Sequence, residues 1–126
     1  MTAHKDLNSL HSALSEFKKM AMFEDYNITD PESRGMDDDT PLHIAALEGR
    51  VDLLEIFLPF VKDINIQGDI GNTPLHYAVL KDNLDATYLL IKHKADVNFQ
   101  NDYGDTPLKL MENKPLFEKI ARKHSL

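Results

Sequence analysis

Apolar residues along this chain fall into short runs of helical spacing divided by polar turns, and the runs recur. Leu42 and Ala45 are matched 33 residues later by Leu75 and Ala78, and again by Leu108 and Met111; Leu54, Thr87 and Ile120 form a further matched set. Each period holds two amphipathic patches: residues 41–48 with 51–59, 74–81 with 84–92, and 107–113 with 116–123. They are parted by Gly49-Arg50, Asp82-Asn83 and Asn113-Lys114. The pattern predicts antiparallel helix pairs with short connectors, each pair repeating the buried face of the one before, stacked into a surface. Ahead of them lies a less regular stripe, Leu7, Leu10, Leu14, Phe17 and Ala21 with Met20 nearby, which predicts an amphipathic helix able to cover the exposed end of the stack. One helix of about five turns is the first reading of it; a worn first repeat of two shorter helices is the alternative. Asn27 to Gly35 reads as a linker.

The punctuation agrees with the periodicity. Thr40-Pro41, Thr73-Pro74 and Thr106-Pro107 are helix starts, because a threonine hydroxyl can accept from free N–H groups of the first turn while proline pre-sets the backbone at the first helical position. Gly71 and Gly104, two residues before their threonines, supply the positive-φ position of a tight turn. The first copy has Asp38 there, so the first hairpin is expected to be the least regular.

The segments Thr40-Pro41-Leu42-His43-Ile44-Ala45-Ala46 and Thr73-Pro74-Leu75-His76-Tyr77-Ala78, with Asp63-Ile64-Asn65 and Ala95-Asp96-Val97-Asn98 at the repeat ends, resemble ankyrin repeats over about residues 35–126. The resemblance implies an all-α repeat fold, an α-solenoid of three β-hairpin–helix–helix units at 35–67, 68–100 and 101–126. Residues 1–34 then form an N-terminal helical cap and linker, or a degenerate repeat. It also implies that His43 and His76 tie their helix starts to backbone in neighbouring loops. Lys109 replaces that histidine in the last unit, Glu112 replaces a small apolar residue, and Glu118, Lys119, Arg122 and Lys123 make the final helix polar, as a C-terminal cap requires. Pro59 is expected to end or kink its helix early; Val61 and Lys94 stand where a helix-ending glycine is usual.

Composition narrows function by exclusion. The chain has 126 residues, no cysteine and a net charge of −7. No apolar run approaches the length of a membrane span, the first residues show no secretory signal, and cytoplasmic residence is the expectation. Without cysteine there is no disulfide framework, thiolate nucleophile or Cys-based zinc site. His43 and His76 belong to separate repeats, and His4, His11, His93 and His124 show no ligand spacing, so no metal site is expected. Asp37-Asp38-Asp39 lacks the loop of a calcium site, Ser9, Ser12 and Ser15 have no nucleophile setting, and no phosphate-binding glycine loop exists. No cofactor and no catalysis are expected.

What remains is surface. In stacks of this kind the hairpin tips and the exposed end of each first helix line a concave face. Here that face holds Met36, Asp37, Asp39, Leu47 and Glu48; Asp69, Ile70, Asn72, Leu80 and Lys81; and Asp102, Tyr103, Asp105, Asn113 and Lys114. Acidic residues outnumber basic ones, with Ile70, Leu80 and Tyr103 as apolar anchors; hairpin tips favour Asp and Asn for backbone reasons too. Clustered charge with embedded hydrophobes suits steered encounter and a desolvated centre. The face is sized for one standard interface, about 800 Å² per partner. The expected function is non-enzymatic binding of one basic protein partner by a free monomer, with nucleic acid and membrane excluded by charge. One concrete form is an immunity or antitoxin-like inhibitor that occludes a cationic toxin. The alternative is a scaffold or regulatory adaptor, which needs a second, apolar docking surface such as Phe60.

Overall fold

Each Thr-Pro pair builds a helix start of the same construction. In the computed structural model, which describes residues 6–124 and 126, the hydroxyls of Thr40, Thr73 and Thr106 accept from the backbone N–H of His43, His76 and Lys109. The helices so begun are α2 (Pro41–Leu47), α4 (Pro74–Leu80) and α6 (Pro107–Met111). Their partners are α3 (Val51–Phe57), α5 (Leu84–Lys92) and α7 (Glu118–Lys123). Proline acts as expected: α3 stops at Phe57 and Leu58–Phe60 continues as a 3-10 turn, from which Val61 leaves extended. Lys94, where glycine is usual, takes φ 74. His4, and most of the first residues read for a signal, lie outside the described residues.

Stacking follows sequence order in two layers. Helix α4 packs between α2 and α6, and α5 packs on α3. The outer side of α3 is covered by α1 (Leu7–Lys18), which starts at the side-chain cap of Asp6. Leu10, Ala13, Leu14 and Phe17 of α1 are buried, and Phe17 meets Phe23 and Phe57 with ring centroids 5.7 Å apart in both pairs. Zero-exposure positions recur through the stack: Leu42 and Leu75, Ala45 and Ala78, Leu54 and Thr87. Burial of this face, at roughly 25 cal/mol per Å² of apolar area, is what holds helices too short to persist alone.

Three expectations need correction. First, α1 has 12 residues, just over three turns, rather than five, with Leu7 and Ala21 exposed. Beyond Lys18 the chain turns through bonds from Met20, Phe23 and Tyr26 N–H to the carbonyls of Phe17, Met20 and Phe23, which carries Phe23 into the core. Gly35 accommodates it, since a Cβ there would lie 2.3 Å from the Phe23 ring.

Second, residues 27–35 are not a bare linker. Ile28, Pro31 and Gly35 are buried, and the segment ends as the next two units end. The carboxylates of Asp30, Asp63 and Asp96, spaced by 33, each accept from the N–H two residues on. Glu32 then accepts from the N–H groups of Lys62 and Asp63, as Asn65 accepts from that of Asp96.

Third, the hairpins carry no strand among the described residues. Each is closed at its base by a main-chain bond from Gly35, Gly68 and Asn101 N–H to the carbonyls of Asp39, Asn72 and Asp105. Nor is the first the odd one out. Asp37 and Asp38 at φ 61 and 65 match Ile70 and Gly71 at 57 and 73, because aspartate tolerates the left-handed region; the third tip has Gly104 alone there, at 79.

Candidate functional site

The tips are bonded in a row, the first to the turn after α1 and each later one to the tip before it. Met36 N–H donates to Met22 O at 2.8 Å, Asp69 N–H to Asp39 Oδ1 at 3.1 Å, and Asp102 N–H to Ile70 O at 2.9 Å. A second line of bonds runs beneath them. Arg34 donates to the carbonyls of Asp38 and Gln67, and the Gln67 amide to those of Gly71 and Gln100.

The two histidines fix the angle between tips and helices. His43 Nδ1 accepts from Thr40 N–H at 3.2 Å, so Nε2 carries the proton and donates to Ile66 O at 2.9 Å and Asn72 O at 3.1 Å. His76 repeats this with Thr73 N–H at 3.0 Å and Asp105 O at 2.9 Å. Both rings are wholly buried. Burial pushes His43 down to about 4 and lowers His76 as well, since a charged ring there is cut off from water.

Against this frame the fifteen expected face residues separate. Asp37, Glu48, Asp69, Lys81, Asp102, Tyr103 and Asn113 are exposed, as are Met36, Ile70 and Leu80; Leu47 is half-buried. Tyr103 is the most open of the large apolar side chains, at 75%. Each tip thus shows a carboxylate next to an apolar side chain, Asp37 following Met36 in the first, and Asp69 and Asp102 preceding Ile70 and Tyr103 in the others. Among the described residues no ion pair engages Asp37, Glu48, Asp69, Asp102 or Lys81.

Four others do not serve as expected. Asp39 is 7% exposed and its carboxylate accepts from Tyr77 Oη at 2.9 and 3.0 Å and from Asp69 N–H, so it joins two units instead of facing a partner. Burial raises its pKa, opposed by those two donors, and burial with the nearby carboxylate raises that of Tyr77. Asn72 is equally buried, and its side-chain oxygen accepts from the Asn101 amide. Asp105 is half-buried and pairs with Lys109 at 3.1 Å. Lys114 Nζ donates to Val79 O at 2.8 Å and to Asp82 at 2.7 Å, closing the end of α4 as the Asn83 amide closes α2 at the carbonyls of Ala46 and Leu47.

Two residues were missed. Asp38 is exposed on the first tip and adds a carboxylate. Tyr77 organises the inner wall, and its signal was an aromatic hydroxyl at a position where the other units have Ile44 and Leu110. Phe60, by contrast, is partly buried against the core and is no separate docking point. A second concavity of about 530 Å³ opens at the far end of the stack, lined by Leu108, Met111, Pro115, Phe117, Ala121 and Leu126.

Among the described residues no three His, Asp or Glu side chains converge as a metal site, and no helix is long and apolar enough to cross a membrane. The arrangement is a contact surface held by backbone bonds. Compared with curated proteins, the chain matches none. A family model described as ankyrin repeats, three copies, matches residues 4–101, beginning in the segment whose end already follows the repeat's bonding. With most of its length matched and three capped helix pairs stacked at a 33-residue period, the chain belongs to the ankyrin repeat family, whose members mediate protein–protein interaction and are typically non-enzymatic binding modules.

Proposed function

We propose that this protein binds one basic protein partner across its hairpin tips and acts by occlusion, as an immunity or antitoxin-like inhibitor in the cytoplasm. The observation that carries the reading is the bonded row of tips, in which Asp37, Asp69 and Asp102 stand unpaired beside Met36, Ile70 and Tyr103. Unpaired carboxylates steer a cationic surface toward the face, and apolar side chains between them supply area to desolvate on contact. Ile70 strengthens the case. A β-branched residue at φ 57 costs roughly 1–3 kcal/mol, and the fold gains nothing evident from it, since Asp37 makes the same turn without a branched side chain.

Binding of candidate cationic proteins measured against ionic strength tests this. Affinity should fall as salt rises, and replacing Asp37, Asp69 and Asp102 with lysine should slow association while circular dichroism and melting temperature hold. Affinity indifferent to salt, or to the triple change, would remove the basis for the proposal. The adaptor alternative requires a second apolar surface; the end concavity, flanked by the exposed Leu116, supports it better than Phe60 does. A complex that retains its partner's activity and recruits a further protein would favour the adaptor.

A further inference from the structure

Charge is not spread evenly along the stack. The chain carries −7 overall, yet the end of α5 and the whole of α7 bring Lys92, Lys94, Lys119, Arg122 and Lys123, all exposed, to one corner of the outer layer. Lys123 joins the two helices there, its Nζ 2.9 Å from Tyr88 Oη and 4.7 Å from the centre of the ring. Lys92 follows Tyr88 by one turn of α5 and Lys119 precedes Lys123 by one turn of α7, so each pair shares a side of its helix. The bond and charge of Lys123, and then the charge of Lys92, lower the Tyr88 pKa, as two ammonium groups beside one phenol should. His124 completes the cluster, its ring 5.6 Å from that of Tyr88 and its Nε2 buried without a hydrogen-bond partner among the described residues.

The acids nearby do not neutralise this corner. Glu118 is taken by Arg122, Asp96 turns its carboxylate onto the N–H of Asn98, and Asp85 stands in the first turn of α5, away from Lys92 in the last. Among the described residues no ion pair engages Lys92, Lys94, Lys119 or Lys123, whereas Arg50, Lys109 and Lys114 are each paired. Nor does the fold ask for all of these charges. Bases in a last turn complement the helix dipole, which accounts for Lys92 and Lys123. Lys119 lies in the first turn of α7, where a cation is disfavoured, and Lys94 holds φ 74, a backbone that glycine takes more readily.

We infer that this corner is a second docking surface and that its partner is an acidic segment of a protein. Carboxylates supply the counter-charges that Lys92, Lys94, Lys119 and Lys123 lack, and at 0.1 M salt, with a Debye length of about 10 Å, a short segment meets these cations without sensing the acidic remainder of the chain. Nucleic acid fits less well. The corner's aromatic ring is engaged by Lys123 and His124, which leaves it poorly placed to stack on a base, and a chain of −7 repels a long phosphate backbone. The residues are distinct from those of the hairpin tips, so the inference goes beyond the proposed function and does not depend on it.

The test titrates the full chain at low salt with a hexaglutamate peptide, read by the chemical shifts of backbone amides and of the Tyr88 ring. Shifts should centre on Tyr88, Lys92 and residues 119–124 and leave the amides of Ile70 and Tyr103 unmoved. K92Q, K119Q and K123Q should each weaken the peptide about threefold, and the three together by about tenfold or more, with circular dichroism unchanged. K119R, which keeps the charge, should bind as the unaltered chain does. Absence of binding, shifts centred elsewhere, or full affinity in the folded triple variant would overturn the inference. So would an oligothymidine, or vesicles containing phosphatidylserine, that engaged the same residues more tightly than the peptide. Binding of a cationic protein at the tips should survive all three lysine changes, and its failure would bear on the functional reading alone.

Discussion

Acid should loosen this stack before it reaches the pH range of its carboxylates, and His43 is the reason. In the folded chain its Nδ1 accepts from Thr40 N–H and its Nε2 donates to Ile66 O and Asn72 O, so the neutral ring is fully used, and burial away from water resists the charge of a second proton. The folded pKa of about 4 against 6.5 in the unfolded chain means that the unfolded state takes up a proton through pH 6.5 while the native state refuses one. Stability attributable to this residue is fully present above pH 7 and lost as pH falls from 6.5 toward 4. The loss is about 2 kcal/mol between pH 7 and pH 5 and about 3 in all. His76, lowered by burial, acts with the same sign. Asp39 acts with the opposite sign, because its raised pKa lets the native state bind a proton earlier than the unfolded chain, and it offsets part of the loss at the acid end. A total stability of about 5–15 kcal/mol makes a change of this size easy to see. Urea unfolding followed by circular dichroism at half-unit steps from pH 7.5 to 4.5 should give a slope below pH 6 to which His43 alone contributes somewhat over ~1 kcal/mol per pH unit, with His76 adding to it. In H43Q the slope should shrink to the contribution of His76. A flat profile between pH 7 and 5, or an imidazole titration of His43 near 6.5 by NMR, would refute the reasoning.

Ile70→Asn should raise stability by about 1 kcal/mol, since asparagine accepts the left-handed backbone that strains isoleucine at φ 57; a lowered melting temperature would show that Ile70 packing outweighs the strain. Tyr77→Phe removes both bonds from Tyr77 Oη to Asp39 and should cost about 1–2 kcal/mol by chemical denaturation. It should also raise the Asp39 pKa further, because that hydroxyl is one of the donors holding the carboxylate ionised; an unchanged carboxyl titration would count against the assigned bonding. Two glycines separate backbone strain from crowding. Gly71→Ala meets both a φ of 73 and Asp102 Oδ1 at 2.4 Å from the new Cβ, whereas Gly104→Ala at φ 79 meets open space. The first should lose about 2 kcal/mol or more and the second about 1, and equal melting temperatures would contradict the tip packing described.

The 33-residue period, the three Thr-Pro helix starts, the cap histidines and the early stop at Pro59 were all legible in the sequence. Each depends on residues a few positions apart or on identical neighbours, and a stack in which every unit touches only the next repeats the same local solution. The exposed centres of the tips, Asp69, Ile70, Asp102 and Tyr103, were legible for the complementary reason that packing does not dictate them. Tertiary structure alone decided the rest. Asp39, Asn72 and Asp105 occupy the same place in three units, yet the first two are buried and the third is not. Tyr77, 38 residues beyond Asp39, brings a hydroxyl to its carboxylate, and Asn101 brings an amide to Asn72. Lys114 left the expected face for the carbonyl of Val79, 35 residues back. The turn that seats Phe23 against Gly35 likewise answers to its packing on Phe17, which no local pattern announces. Periodicity therefore determined the scaffold, because it is written in short-range spacing. Which polar side chains stay free to meet a partner was settled by neighbours one repeat away, since an unpaired polar group next to a core takes whatever donor or acceptor the adjoining unit offers.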